Sequence, residues 1–431
     1  MAKARTTFLI HLYRAATWLA TPFIGLLLAR RVKRGKEDPA RLRERYGRAS
    51  AARPRGPLVW LHGASVGEMI AVLPLVDRLR ARGFQVLFTS GTLTSARLAR
   101  SRLPPDVPHQ FVPLDSPLFL RRFLRHWRPD LVLLVESELW PNLIVEVNAR
   151  GTPLVLVNAR MSPKSFASWQ RIGGSVAALL SRVDLCLAQG PEDGERLKQL
   201  GAPRVAVTGN LKFDAPPPPV DLAAFDALRT ASAGREVFVA ASTHPGEEEI
   251  IIEAHQRLAK ELPDLLTIIA PRHPERGRAV VELATEANCP AVLRSDGYLP
   301  DRGTSLYIAD TIGELGLFYR LGPVALLGGS LARKGGQNPI EPIKLDTAIL
   351  HGPHVTNFSE IYSRLDAEGG ALPVTDARSL AANAFMLLAD TASRQRMIAA
   401  GQATIESFGG ALDRTLAAID PYLVQIRLER H

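Results

Sequence analysis

Glu68 is the residue whose type and setting best suit it to do chemistry. It closes the run Leu58-Val-Trp-Leu-His-Gly-Ala-Ser-Val-Gly-Glu68, in which a short apolar strand passes through a glycine-bracketed turn into a helix start. Open α/β sheets hold their ligands beyond the carboxyl ends of strands. A carboxylate in the first helical turn is favoured in its ionised form by the helix dipole. Such a group suits the work of a general base. The spacing Ser65-x-x-Glu68 also fits a capping box, in which the same carboxylate would only satisfy backbone N–H groups. Both roles stand at this point.

The second half of the chain repeats one device four times: an apolar run, a polar or glycine-rich turn, then a helix start. It occurs at 241–248, 270–275, 309–314 and 328–341. Helix N-termini gathered at one sheet edge make an anion site from backbone N–H groups, and a nucleotide phosphate is the expected occupant. Each turn alone is ordinary helix capping. Asn338-Pro339-Ile340-Glu341 is the sharpest of them, with a capping residue, proline at the first helical position and glutamate at the third. Gly335 and Gly336 leave room for a close phosphate, Arg333 and Lys334 add charge, and Glu341 suits a ribose diol. Arg272 suits phosphate or base.

These turns need strands to carry them. Apolar runs at 58–61, 85–88, 131–135, 154–157 and 183–187 read as buried strands separated by amphipathic stretches, which is one doubly wound α/β unit. Pro216 to Pro219 form a stiff spacer that can continue neither a helix nor a central strand. Beyond it the alternation restarts at 237–240, 265–269, 305–308, 324–327 and 348–350. Two Rossmann-like domains facing a central cleft follow: an N-terminal one over 49–215, a proline linker at 216–220 and a C-terminal one over 221–431.

Composition narrows the partners. A chain of 431 residues, 46% hydrophobic, has material for two cores. Its two cysteines, Cys186 and Cys289, have neither disulfide-framework nor metal-ligand spacing. A net charge of +10 calls for an anionic partner. Much of that charge crowds into Arg30, Arg31, Lys33, Arg34, Lys36, Arg41, Arg43, Arg45 and Arg48, directly after the apolar segment 8–29. An apolar segment followed by a basic run reads as a membrane anchor with its basic side towards anionic lipid at the cytoplasmic face. Residues 1–48 are therefore assigned as anchor and basic juxtamembrane segment. His11 and Arg14 interrupt the apolar stretch, and its clean part, 15–29, is shorter than the roughly 20 residues a span needs. A short signal-anchor is the first reading, a helix lying in the interface the second and a cleavable signal peptide the third. With no aromatic-interleaved basic motif, nucleic acid is set aside.

The ordered set His62-Gly-Ala-Ser-Val-Gly-Glu68, Glu136-Ser-Glu-Leu-Trp-Pro-Asn142, Asn158-Ala-Arg-Met-Ser162, Gly209-Asn-Leu-Lys-Phe-Asp214, Ser242-Thr-His-Pro-Gly-Glu-Glu248, Pro271-Arg-His-Pro-Glu-Arg276, Asp310-Thr-Ile-Gly-Glu-Leu315 and Gly335-Gly-Gln-Asn-Pro-Ile-Glu341 resembles the 3-deoxy-D-manno-octulosonic acid (Kdo) transferases of lipopolysaccharide assembly. The resemblance runs from the N-terminal segment to about residue 370. It implies a GT-B glycosyltransferase that moves Kdo from CMP-Kdo, with inversion, onto the lipid A precursor (lipid IVA) at the cytoplasmic face of the inner membrane, with no cofactor and no metal. It assigns Glu68 as the base, makes Glu138 and Lys212 candidates for stabilising the transition state, and leaves Glu136 in competition with Glu138. Nucleotide binding falls on Pro271 and Arg272, on Ile312, Gly313 and Glu314, and on Asn338, Pro339, Ile340 and Glu341. The alternatives are a transferase or epimerase of the same architecture using a UDP-sugar, and a membrane-tethered nucleotide- or lipid-binding protein without chemistry.

Overall fold

The computed structural model describes residues 7–218 and 220–429. It divides into two units, one taking in the chain up to Ala215 and again from Phe408, the other Pro216–Ser407. Of the proline spacer, Pro219 lies outside the described residues, as do residues 1–6 of the anchor segment.

The first unit carries strands β1 (Leu58–His62), β2 (Gln85–Ser90), β3 (His109–Phe111), β4 (Leu131–Val135), β5 (Leu154–Ala159), β6 (Leu185–Ala188) and β7 (Val205–Val207). All pair in parallel, in the order β3-β2-β1-β4-β5-β6-β7. Alternate residues of β1 and β4 feed different cores. Trp60 and Leu134 pack on one face, Val59 and Leu133 on the other, so both faces are covered. The order reverses between β1 and β4, and the carboxyl ends of those two strands are where such sheets hold ligands.

The second unit carries β8 (Val237–Thr243), β9 (Leu266–Pro271), β10 (Ala291–Leu293), β11 (Leu306–Ile308), β12 (Val324–Leu327), β13 (Ala348–His351) and β14 (Ala371–Pro373). They too are all parallel, in the order β10-β11-β9-β8-β12-β13-β14. Here the reversal falls between β8 and β12. The four turns picked out in the sequence follow β8, β9, β11 and β12, four neighbouring strands, and so stand side by side at one edge.

The chain's end departs from expectation. Residues from Phe408 onward belong to the first unit and not to a domain running from 221 to 431. The helix Ala411–Leu428 lays Ala411, Leu416, Ile419 and Leu423 into the first unit's core. Asp214 accepts from the N–H groups of Gly410 (2.8 Å) and Leu412 (2.6 Å) at its start. An amphipathic stripe states that a helix has a partner without stating which sheet supplies it.

The N-terminal segment forms two helices, Phe8–Leu19 and Ile24–Lys33, joined by a short turn. Among the described residues no single helix is long and apolar enough to cross a membrane, and only this pair, bent by 44°, passes on length and composition together. Polar side chains tie it to the first unit. Tyr13 donates to Asp115 (3.0 Å), Arg14 pairs with Glu146 (2.7 Å) and Asn142 donates to Thr17 (3.0 Å). Its other side is bare, with Phe8, Leu12, Trp18, Leu19, Phe23 and Leu26 exposed. The basic run is also partly consumed. Arg41 is bidentate on Glu44 (2.9 Å twice), and the buried Arg45 shares Glu37 with Arg31. Arg30, Lys33, Arg34, Lys36, Arg43 and Arg48 remain exposed.

Candidate active site

Behind β1 the chain makes the expected turn. Ser65 caps the helix Val66–Ala81 by accepting from the Glu68 N–H at 3.3 Å. The Glu68 carboxylate folds back, with one oxygen accepting from the Ala64 N–H and the other from the Ser65 hydroxyl, each at 2.8 Å. The capping geometry is thus present, displaced by one residue from the usual box because the reciprocal N–H is that of Ala64. It does not exhaust the group. Burial pushes the Glu68 carboxyl above its ordinary value, and the negative charges of Glu136 and Glu138 push the same way against the Ser65 hydrogen bond. A buried carboxylate raised in this way is a stronger base than a solvated one.

Its neighbours come from β4, β5 and the segment after β7. Glu136 follows β4 directly with a left-handed backbone, φ 58°. Lys212 reaches it from the helical turn Leu211–Phe213 with Nζ 2.9 Å from Oε1. That turn is itself pinned by the buried Asn158 at the end of β5, also left-handed at φ 53°, whose side-chain oxygen accepts from the Leu211 N–H at 2.9 Å. Non-glycine residues are held in this region only where the surroundings enforce it, and such positions gather at functional sites. Glu138 takes the Trp140 indole N–H and lies 3.6 Å from Nε2 of His62, the last residue of β1. The His62 ring is fully buried, Nδ1 engages both oxygens of Thr89, and Nε2 has no hydrogen-bond partner among the described residues. Burial raises the Glu138 carboxyl, but the His62 ring and the Trp140 N–H outweigh it and leave it below its ordinary value. Glu68, Glu138 and Lys212 are therefore assembled with Glu136, the residue left in competition with Glu138, and with His62, which the motifs contained without marking a role. Among the described residues no three His, Cys, Asp or Glu side chains are arranged to share a metal ion.

In the second unit Pro271 ends β9, buried, and Arg272 follows it, exposed. Ile312 and Glu314 line a cavity of about 810 Å³ together with Pro274, Arg294, Asp310 and Thr311. Gly313 between them needs its left-handed backbone, φ +90°. Arg294 grips Glu314 through two nitrogens at 2.8 and 3.2 Å. Burial raises the Glu314 carboxyl, yet Arg294 and the Thr311 hydroxyl leave it below its ordinary value. Pro271, Arg272 and the 338–341 turn are not part of this cavity's lining.

The Asn338 turn differs in detail from the reading above. The helix starts one residue late and spans only Ile340–Ile343, with Pro339 as its cap residue. Asn338 instead turns its side-chain oxygen onto the Ile340 N–H at 3.1 Å. The N–H groups of the glycine-rich loop also go elsewhere than expected. The carboxylate of Glu247, fully buried, accepts from Gly329 (2.7 Å), Leu331 (2.9 Å), Ala332 (3.0 Å) and His244 (2.9 Å).

In fold the chain is similar to a glycosyltransferase from Rickettsia africae, with a TM-score of 0.58 over 86% of this chain and 99% of that one at 12% identity. Its two parallel Rossmann-like sheets have the GT-B architecture. Residues 40–215 match the family model described as 3-deoxy-D-manno-octulosonic-acid transferase (kdotransferase). The chain is 37% identical over 410 residues to the 3-deoxy-D-manno-octulosonic acid transferase of Haemophilus influenzae, covering 93% of this chain and 95% of that one. To the protein of the same name from Bordetella pertussis it is 38% identical over 419 residues, covering 93% and 96%. The chain belongs to the Kdo transferase family.

Proposed function

We propose that this protein transfers Kdo from CMP-Kdo to the lipid A precursor lipid IVA, with inversion at the anomeric carbon. Glu68 takes the proton of the acceptor hydroxyl as its oxygen bonds to that carbon, and the bond to the CMP phosphate oxygen breaks. Lys212, held by Glu136, compensates negative charge on the sugar carboxylate or the departing phosphate. Glu138 keeps the base-side cluster anionic beside His62. Pro271, Arg272, Ile312, Gly313, Glu314 and the stretch Asn338, Pro339, Ile340 and Glu341 are assigned to the nucleotide. The observation that carries this reading is the gathering of Glu68, Glu136, Glu138 and Lys212 at the β1/β4 switch point in a chain so close, over its length, to Kdo transferases.

The test is an assay with CMP-Kdo and lipid IVA, with a UDP-sugar as the control donor. Wild type is expected to consume CMP-Kdo only, and Glu68→Gln to lose roughly a hundredfold or more in turnover. Near-normal turnover by the variant would leave Glu68 as a cap alone.

The site of action is proposed to be the cytoplasmic face of the inner membrane. The bent helix pair is held to the first unit by its polar residues and leaves an apolar side free, the pattern of helices that lie in the interface with basic groups against anionic headgroups. Alkaline carbonate is expected to release the chain from membranes, and flotation with liposomes to require anionic lipid. Resistance to carbonate would point to a span.

A further inference from the structure

The carboxyl edge of the second sheet is where a phosphate would be cradled, yet backbone N–H groups of its glycine-rich loop already hold an anion. The loop Gly328-Gly-Ser-Leu-Ala332 leaves β12 at the switch point. It runs so close to the end of β8 that a Cβ on Gly328 would lie 2.5 Å from the Ser242 carbonyl oxygen. Glu247 sits beneath it, on the first turn of the helix Glu247–Leu258, with no exposed surface. One of its oxygens takes the N–H groups of Leu331 and Ala332 and the other those of Gly329 and His244. With both oxygens accepting twice, the group is bound as a carboxylate, and a buried charge is tolerated when it is saturated in this way. The far side of the loop is tied separately, with Asn357 donating to the carbonyls of Lys334 (3.1 Å) and Gly336 (3.2 Å), and the Tyr362 hydroxyl to Gln337 (2.9 Å).

We infer that Glu247 is a positioning residue that fills the anion cradle of the glycine-rich loop from within, so that the loop is shaped before the donor arrives and the donor phosphate is met by residues outside 329–332. This rests on the reading that the second unit holds CMP-Kdo. A loop that folds only around its ligand must be ordered at the ligand's expense, whereas one ordered by an internal anion imposes no such cost on binding. Glu248, its neighbour in sequence, plays no part in this. It faces the Thr243 hydroxyl (3.0 Å) and Arg276 (3.3 Å).

Amide hydrogen exchange on the full-length chain, with and without CMP, tests the inference. In wild type without nucleotide, the amides of Gly329, Leu331 and Ala332 are expected to be protected, and CMP is expected to leave them unchanged. Free exchange without nucleotide, or strong new protection on adding CMP, would overturn it. In Glu247→Gln the amide nitrogen faces N–H donors, so exchange at these three positions should rise while far-UV circular dichroism is kept, and CMP should bind roughly tenfold more weakly. Glu247→Asp, which keeps the charge but falls short of the loop, should show a smaller change in the same direction. CMP affinity equal to wild type in both variants would also overturn it. If wild type binds no CMP at all, the proposed donor is wrong, while exchange at the three amides still decides whether Glu247 holds the loop.

Discussion

Both units place glutamates at the helix start behind the first strand of a switch point, Glu68 behind β1 and Glu247 behind β8, and the surroundings treat the two carboxylates in opposite ways. Glu247 is met by four backbone N–H donors and has no capacity left for a substrate proton. Glu68 takes one N–H and one hydroxyl, keeps 8% of its surface exposed, and faces two further carboxylates that push it upward. A motif glutamate is scaffolding where donors saturate it. Where donors are few and like charges are near, its pKa is raised and it is suited to act as a base.

The largest effect that would break this contrast is that of Glu68→Gln, already set at roughly a hundredfold or more in turnover with folding retained. Equal losses from Glu68→Gln and Glu247→Gln, with no change in loop exchange in the second, would erase the difference. Lys212→Met comes next. It removes the cation 2.9 Å from Glu136 and should lower kcat roughly tenfold to a hundredfold.

The pH profile sharpens the comparison further. The proposed base Glu68 must be deprotonated to act, and burial and its acidic neighbours raise its pKa, so kcat/KM should fall on acidification already above the ordinary glutamate range. Glu136→Gln removes one of those neighbours and should move this acid limb to lower pH. An unmoved limb would mean that Glu136 does not act on Glu68. Ser65→Ala is expected to have the smallest effect. Loss of the cap should cost about 1 kcal/mol in a denaturant melt. Because the Ser65 hydroxyl lowers the Glu68 pKa, its removal should shift the acid limb to higher pH.

Much of the fold was legible in the chain, and the parts that were not share a physical cause. The central strands, such as β1, β4, β8 and β12, are buried on both faces and read as unbroken apolar runs. The four strands the apolar runs did not mark, β3, β7, β10 and β14, are the sheet edges, each three residues long and, in β7, β10 and β14, only partly buried. An edge strand is specified by the neighbour it pairs with more than by its own hydrophobicity. The Ser65 cap was legible because its partners lie within four residues. The pair Arg294 and Glu314 was not, since its members stand 20 residues apart on separate turns.

The sequence by itself determined two doubly wound α/β units, the turns that follow their strands and the identity of the carboxylates those turns carry, because strand burial and helix capping are decided by side chains a few positions apart. Only the tertiary structure decided what each carboxylate faces. Glu247 meets donors 82 to 85 residues along the chain, Glu136 meets Lys212 76 residues away, and the last helix returns to the first sheet. A side chain's hydrogen-bonding capacity is written in its type, but how much of that capacity is already used depends on chain segments that only folding brings beside it.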